Sequence, residues 1–275
     1  MRRKIYFYLF VGLFLFAVLF PFFWQFITSI KPPAELFGKH AFSFYTTNPG
    51  LQSYINVFSD EKRPFLRYLW NSTVVSTITT AFSLIIASFT AYAIARLQFR
   101  GKNILLGVIL AVSMFPQIAT IAPVYLFLQQ FDWTNSYFGL ILPYTTFALP
   151  LAIWNLTTYY KQIPLELEES AKVDGASAFQ RFYRIIVPLV LPGTFTTAIL
   201  VFIAAWNEFL FALTINTEEM YKTIPVGIAL FQGQFIIPWG DIAAATVIVT
   251  IPLIVLVLFF QRWIVAGLTS GAVKE

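Results

Sequence analysis

Residues 2–30 read RRKIYFYLFVGLFLFAVLFPFFWQFITSI: three cations, Arg2, Arg3 and Lys4, and then an uncharged run from Ile5 to Ile30. A helix that crosses a bilayer needs roughly 20 apolar residues, and this run exceeds that. The same order of charge and apolar core opens a secretion signal. Here the run is too long for a signal core, and it ends in Phe22, Phe23, Trp24 and Gln25, where a cleavage site needs small residues. The expectation is an uncleaved first span.

The rest of the chain continues the theme. Of 275 residues, 58% are hydrophobic and 11% charged, with mean hydropathy +0.73. Soluble domains carry about 25% charged residues, so the outer surface here suits lipid and not water. Six stretches can span: 5–30, 69–95, 103–128, 138–160, 190–214 and 241–264. Lipid tolerates only internally hydrogen-bonded backbone, so each is predicted helical. The expected fold is an all-α membrane protein of six transmembrane helices, forming one transmembrane domain over 1–275, with a loop at 161–189. Pro116, Pro123, Pro143 and Pro150 are expected to kink or locally unwind the third and fourth spans.

Placement of Lys and Arg sets the orientation. With the N-terminus inside, twelve of the 18 cations are cytoplasmic: Arg2, Arg3, Lys4, Arg96, Arg100, Lys102, Lys161, Lys172, Arg181, Arg184, Arg262 and Lys274. The other six, Lys31, Lys39, Lys62, Arg63, Arg67 and Lys222, fall outside. Both termini are then cytoplasmic, and 31–68 and 215–240 are external. The net charge of +5 is read as topology, and no nucleic-acid partner is expected.

Several chemistries are excluded. There is no cysteine, and His40 is the single histidine, so disulfides, thiolate sites and histidine triads are out. No phosphate loop G-x-x-x-x-G-K-[ST] occurs, so no ATP chemistry is expected on this chain. Thr79, Ser83, Ala87, Ala91 and Ala95 recur every four residues, a small-residue face that lets helices approach closely. A packing stripe is the plain reading, and the flank of a translocation path is the sharper one.

The loop decides function. It reads IPLELEESAKVDGASAFQRFYRIIVP over 163–188. Pro164 suits a first helical position. Glu166, Glu168 and Glu169 lie in the first turns, where the helix dipole favours anions. Asp174-Gly175 supplies a break, Arg181 and Arg184 lie towards the end of a second helix, and Pro188 marks the return to a span. Leu167, Ala171, Phe179, Phe182 and Ile185 give these helices something to bury. A helix resting on lipid headgroups is the alternative, but its acidity fits a cytosolic protein partner better.

Glu169-Ser170-Ala171, three residues, Gly175, nine residues and Ile185-x-Val187-Pro188 together resemble the EAA loop of ABC importer permeases. Pro164, Asp174-Gly175-Ala176 and Pro188-Leu189 resemble the carbohydrate-uptake branch. Asn71-Ser72-Thr73, Ala91 to Arg96, Trp206-Asn207-Glu208-Phe209, Trp239-Gly240-Asp241 and the tail from Gly267 to Lys274 are similar to the smaller permease of maltose/trehalose-type transporters. Ser170, Val187 and Glu275 depart from the usual Ala, Leu and Gly.

That resemblance implies a permease subunit of a binding-protein-dependent ABC importer. It would move a di- or oligosaccharide or a glucoside osmolyte by alternating access, in the bacterial cytoplasmic (inner) membrane. The implied partners are a second permease, two cytosolic ATPase subunits carrying ATP and Mg, and an extracytoplasmic sugar-binding protein. The chain itself holds no cofactor and is not catalytic. The implied ATPase-coupling residues are Glu168, Glu169, Ala171, Asp174, Gly175, Ala176 and Phe179. Gln232, Gly233 and Gln234 fall in a loop that enters the binding protein's sugar cleft in the maltose system. A plain surface turn is the alternative. Gly271 and Lys274 would contact the ATPase.

Asn207 and Glu208 are candidates for the translocation path, because an ionisable group in a span is functional by default. An interhelical or interfacial structural role is equally open for Glu208. A lone secondary transporter or channel has no reason to carry an EAA loop, and inverted repeats, common in that class, are not seen. A membrane enzyme would need clustered acids, and the pairs Asp60-Glu61 and Glu218-Glu219 fall in solvated loops.

Overall fold

A computed structural model describes residues 2–232 and 237–270, with side chains over 3–232 and 237–263. Every regular element among the described residues is helical. Among the described residues, five helices are long and apolar enough to cross a bilayer: Arg3–Ile30, Phe65–Arg96, Tyr137–Gln162, Ala178–Trp206 and Trp239–Trp263. No residue in the most apolar stretch of Arg3–Ile30 is buried among the described residues, so most of its surface is left for lipid or another subunit.

The stretch read as a third span is two helices, Lys102–Ser113 and Gln117–Gln130, bent by 92°. Pro116 causes the break. It stands in extended conformation (φ −65°, ψ 119°) at the start of the second helix, and a proline disfavours helical geometry in the residue before it. Pro123, Pro143 and Pro150 remain inside continuous helices.

The chain divides into two compact units. The first comprises Met1–Leu69 and Ile224–Leu253. Its core holds Val57, Phe65, Tyr68, Ile224, Phe231, Ala244 and Ala245. Gly227 lets Tyr68 lie flat against the backbone, since a Cβ there would stand 2.3 Å from the ring. Lys31 is buried, and its ammonium donates to the carbonyls of His40, Ala41 and Ser43 at 3.3, 3.1 and 2.7 Å. Glu35 accepts from the Thr47 backbone N–H at 3.1 Å and from the Thr47 hydroxyl. Residues 38–50 contain no helix, and these two side chains supply partners that secondary structure would otherwise give.

The second unit comprises Trp70–Thr223 and Ile254–Glu275. Its core joins Ala87, Ala91 and Ile94 to Ala148, Ala152, Leu156 and Tyr160, and to Phe182, Ile186 and Val190. Thr79, Ser83, Ala87 and Ala91 are wholly buried, and Ala95 packs on the same core. The small-residue stripe is therefore a packing face at Ala87, Ala91 and Ala95, where it meets Ala148 and Ala152.

Candidate coupling site

The acidic loop begins where the helix Tyr137–Gln162 ends. Pro164 stands extended (φ −55°, ψ 135°), and Leu165–Val173 forms a short helix. It closes in a Schellman motif. The Gly175 N–H donates to the Lys172 carbonyl at 3.1 Å, and the Ala176 N–H to the Ala171 carbonyl at 2.9 Å. That geometry requires a left-handed residue, and Gly175 has φ 82°. A Cβ there would meet nothing within 4 Å, so the demand for glycine is conformational and not steric. Ser177 then opens the next helix with a capping box: its hydroxyl accepts from Gln180 N–H at 3.2 Å, and its N–H donates to Gln180 Oε1 at 2.8 Å.

From Ala178 the chain does not form a separate surface helix. Ala178–Arg181, a π-helical turn at Phe182–Ile186 and Val187–Trp206 run on as one helix to Trp206. The sequence reading had Pro188 mark the return to a span. Instead the π turn absorbs it, because Pro188 has no N–H to offer the ordinary ladder. The loop is thus one short helix, one glycine turn and the first turns of a long helix.

The structure splits the predicted coupling residues into two sets. Glu168 and Ala171, three residues apart on one face of the short helix, are buried. Glu169, Asp174, Gly175 and Phe179 are exposed, and Ala176 is intermediate. Leu167 and Phe179 were expected to bury and do not. Leu167 is 45% exposed at the edge of the Glu168–Ala171 face, and Phe179 stacks on Tyr183 with centroids 6.3 Å apart, both rings in the open. Val173 is 87% exposed. The open surface of the loop therefore mixes Glu169 and Asp174 with Val173, Phe179 and Tyr183.

Sequence reasoning missed the partners of Glu168. Its Oε1 lies 2.7 Å from Arg96 Nε, with both side chains about nine-tenths buried. Tyr92 donates its hydroxyl to Glu168 Oε2 at 3.1 Å. Arg96 Nη2 donates to the Ile163 carbonyl at 2.7 Å. Breaking a buried pair by removing one partner costs about 3–5 kcal/mol. The only sequence signal was a cation at the end of an apolar span, where topology already explained it.

Glu208 interrupts the other end of the long helix. Val187–Trp206 stops, Asn207 to Phe209 leave helical geometry, and Leu210–Ile215 begins. Glu208 Oε1 and Oε2 accept from the N–H groups of Phe211 and Ala212 at 2.9 and 3.2 Å. Asn207 is exposed and donates to the Ile203 carbonyl at 2.8 Å. Glu208 also lines a cavity of about 90 Å³ with Gln117 and Tyr144, between apolar walls that include Phe147 and Leu151.

In the first unit, Phe231 is buried and packs on Phe65, with the Arg63 guanidinium 5.0 Å from its ring centroid. Gln232 is exposed. Gly233 and Gln234 lie outside the described residues, as do Gly271 and Lys274. No group of three or more His, Cys, Asp or Glu able to hold a metal ion occurs among the described residues.

Residues 83–270 match the family described as binding-protein-dependent transport system inner membrane component. The chain belongs to that family. The permease is 42% identical over 269 residues to the trehalose/maltose transport system permease protein MalG of Thermococcus litoralis, which covers 97% of this chain and 96% of the relative. It is 45% identical over 259 residues to the trehalose transport system permease protein SugB of Mycobacterium tuberculosis, covering 93% and 92%. A crystal structure of a bacterial ABC transporter involved in the import of alginate superposes with a TM-score of 0.79 at 21% identity, covering 94% of the permease and 95% of that chain. At that identity the likeness is one of fold. The reading of an all-helical, multi-pass permease of the maltose/trehalose kind is borne out by family, relatives and fold together.

Proposed function

We propose that the permease imports a di- or oligosaccharide or a glucoside osmolyte by alternating access, as one transmembrane domain over 1–275. The trehalose and maltose named for its relatives support this substrate class. It would assemble with a second, different permease, two copies of a cytosolic ATPase subunit that bind and hydrolyse ATP with Mg, and an extracytoplasmic binding protein. Both termini and the acidic loop would face the cytoplasm.

The exposed surface of the acidic loop carries the coupling reading. Glu169, Asp174, Val173 and Phe179 present charge and apolar area that the chain itself leaves uncovered. A cleft on an ATPase subunit would cover them. Glu168 and Ala171 act from the inner face, and Gly175 with Ala176 fixes the turn between the two. Gln232 to Gln234 are assigned to the binding-protein side, Gly271 and Lys274 to the ATPase, and Glu208 with Asn207 to the path.

The test is a reconstituted complex with the binding protein encoded beside this gene, loaded with ligands from a sugar screen. Glu169→Lys and Gly175→Val are expected to abolish substrate-stimulated ATP hydrolysis while the permease still inserts. Normal stimulation in both variants would rule out the coupling role. Deleting 232–234 is expected to slow uptake more than assembly, and unchanged uptake would remove that loop from the mechanism.

A further inference from the structure

We infer that Arg96 and Glu168 form the joint through which movement of the acidic helix reaches the membrane helices, so that both are positioning residues for coupling. The inference rests on the coupling reading above. Leu165–Val173 is joined to its neighbours only by short non-helical connections: Pro164 in extended conformation before it and the Gly175 turn at φ 82° after it. A nine-residue helix held only at such ends would swivel under load. A push on its outer face would then be spent in the turns.

The Arg96–Glu168 pair removes that freedom. Arg96 is the last residue of Phe65–Arg96. Its Nε lies 2.7 Å from Glu168 Oε1 as an ion pair without hydrogen-bond alignment, and Nη2 donates to the carbonyl of Ile163, the residue that caps Tyr137–Gln162. One planar cation therefore ties the acidic helix to two long helices at once, which the rigid fork of arginine suits and the single point charge of lysine does not. Tyr92, one turn earlier, holds the other carboxylate oxygen. Its ring packs edge-on against Tyr160 and Phe182, at 6.1 and 5.1 Å between centroids. Phe182 belongs to the π turn of the third long helix. Displacement of the acidic helix is thereby shared among three helices.

An apolar contact could supply burial alone. A buried ion pair adds little net stability over apolar packing, but here the hydrogen bonds from Tyr92 to Glu168 and from Arg96 to Ile163 give it direction and register. Those are the properties a joint that transmits force requires.

The double variant Arg96→Gln/Glu168→Gln tests the joint without leaving one buried charge unpaired. The permease has no cysteine, so Leu97→Cys and Lys172→Cys, both exposed and outside the surface assigned to the ATPase, can carry spin labels in the assembled transporter. The distance distribution between them is expected to broaden in the double variant. Transport of maltose or trehalose per ATP hydrolysed is expected to fall about five-fold or more, the scale of an ordinary coupling energy. An unchanged distribution overturns the inference, as does wild-type transport per ATP, or a fall of uptake and hydrolysis in equal proportion. Should the double variant not assemble, Glu168→Asp, which keeps the charge and shortens the reach, decides by the same two readouts. Failure of the coupling reading itself shows separately, as normal ATPase stimulation in Glu169→Lys with the joint intact.

Discussion

Asn71 accepts a hydrogen bond from the Tyr137 hydroxyl at 2.8 Å, and the same amide donates to the carbonyls of Met220 and Lys222 at 2.9 and 2.8 Å. The side chain is wholly buried. It fastens the Phe65–Arg96 helix to the start of Tyr137–Gln162 and to the irregular segment around Tyr221. Asn71→Ala would remove three hydrogen bonds, from the Tyr137 hydroxyl and to the Met220 and Lys222 carbonyls. At about 1 kcal/mol for each lost bond, the expected loss is about 3 kcal/mol, read as a lowered unfolding midpoint of the purified permease in detergent. A loss below about 0.5 kcal/mol would mean that water replaces the amide.

Glu35 gives the segment before the Phe65–Arg96 helix a pH dependence. The Thr47 hydroxyl bonded to its carboxylate holds Glu35 below the usual carboxylate range, and the Thr46 hydroxyl and Thr47 N–H reinforce this against burial, which pushes the other way. The folded value is lower than the unfolded one, so the contribution is fully present above about pH 4.3. It fades as pH falls through the depressed folded value. Cleavage of 38–50 by an acid-active protease is expected to rise over that interval in the wild type. Glu35→Gln should show cleavage that no longer depends on this titration, and an identical pH profile in both would exclude Glu35 as the cause.

How much of this was legible in the sequence follows from what each feature depends on. Apolar runs of more than 20 residues dictate helices through backbone desolvation alone, so Phe65–Arg96 and Tyr137–Gln162 could be read without a structure. The Gly175 turn was equally legible, because only local backbone geometry is involved. The bend at Pro116 was half-read: a proline signals disruption, but tertiary packing decides whether it kinks a helix or breaks it, and Pro143 and Pro150 break nothing. The inward turn of Glu168 was not legible. It depends on Arg96, 72 positions away in the chain, and charge counting had already assigned that residue to topology. The continuity of Ala178–Trp206 through Pro188 was also hidden, since a π turn leaves no mark in residue type.

Gly175 separates conformational need from space. Its φ of 82° costs an ordinary L-residue roughly 1–2 kcal/mol, yet a Cβ would touch nothing. Asn tolerates left-handed geometry better than Ala, and a β-branched side chain worst. Substrate-stimulated ATP hydrolysis in the reconstituted complex is therefore expected to decline in the order Gly, Asn, Ala, Val at position 175. Equal loss in all three variants would point to a partner that packs against the bare glycine, and not to the turn.

Glu208 joins two demands in one carboxylate. Both oxygens cap the helix Leu210–Ile215, a role whose loss costs about 1 kcal/mol. The same group lines the small cavity shared with Gln117 and Tyr144, and carboxylates are rare inside membranes unless they serve transport or pairing. Glu208→Gln keeps one acceptor oxygen for the cap and removes the charge. If the cavity is on the path, uptake should fall several-fold in this variant while the unfolding free energy falls by about 1 kcal/mol or less. Tyr144→Phe removes a hydroxyl that lines the same cavity beside Glu208 but leaves both cap bonds of Glu208 in place. Uptake reduced in both variants would place the cavity on the path. Full uptake in Tyr144→Phe, with loss in Glu208→Gln that only tracks stability, would make the break at Asn207 to Phe209 a structural joint held by its cap.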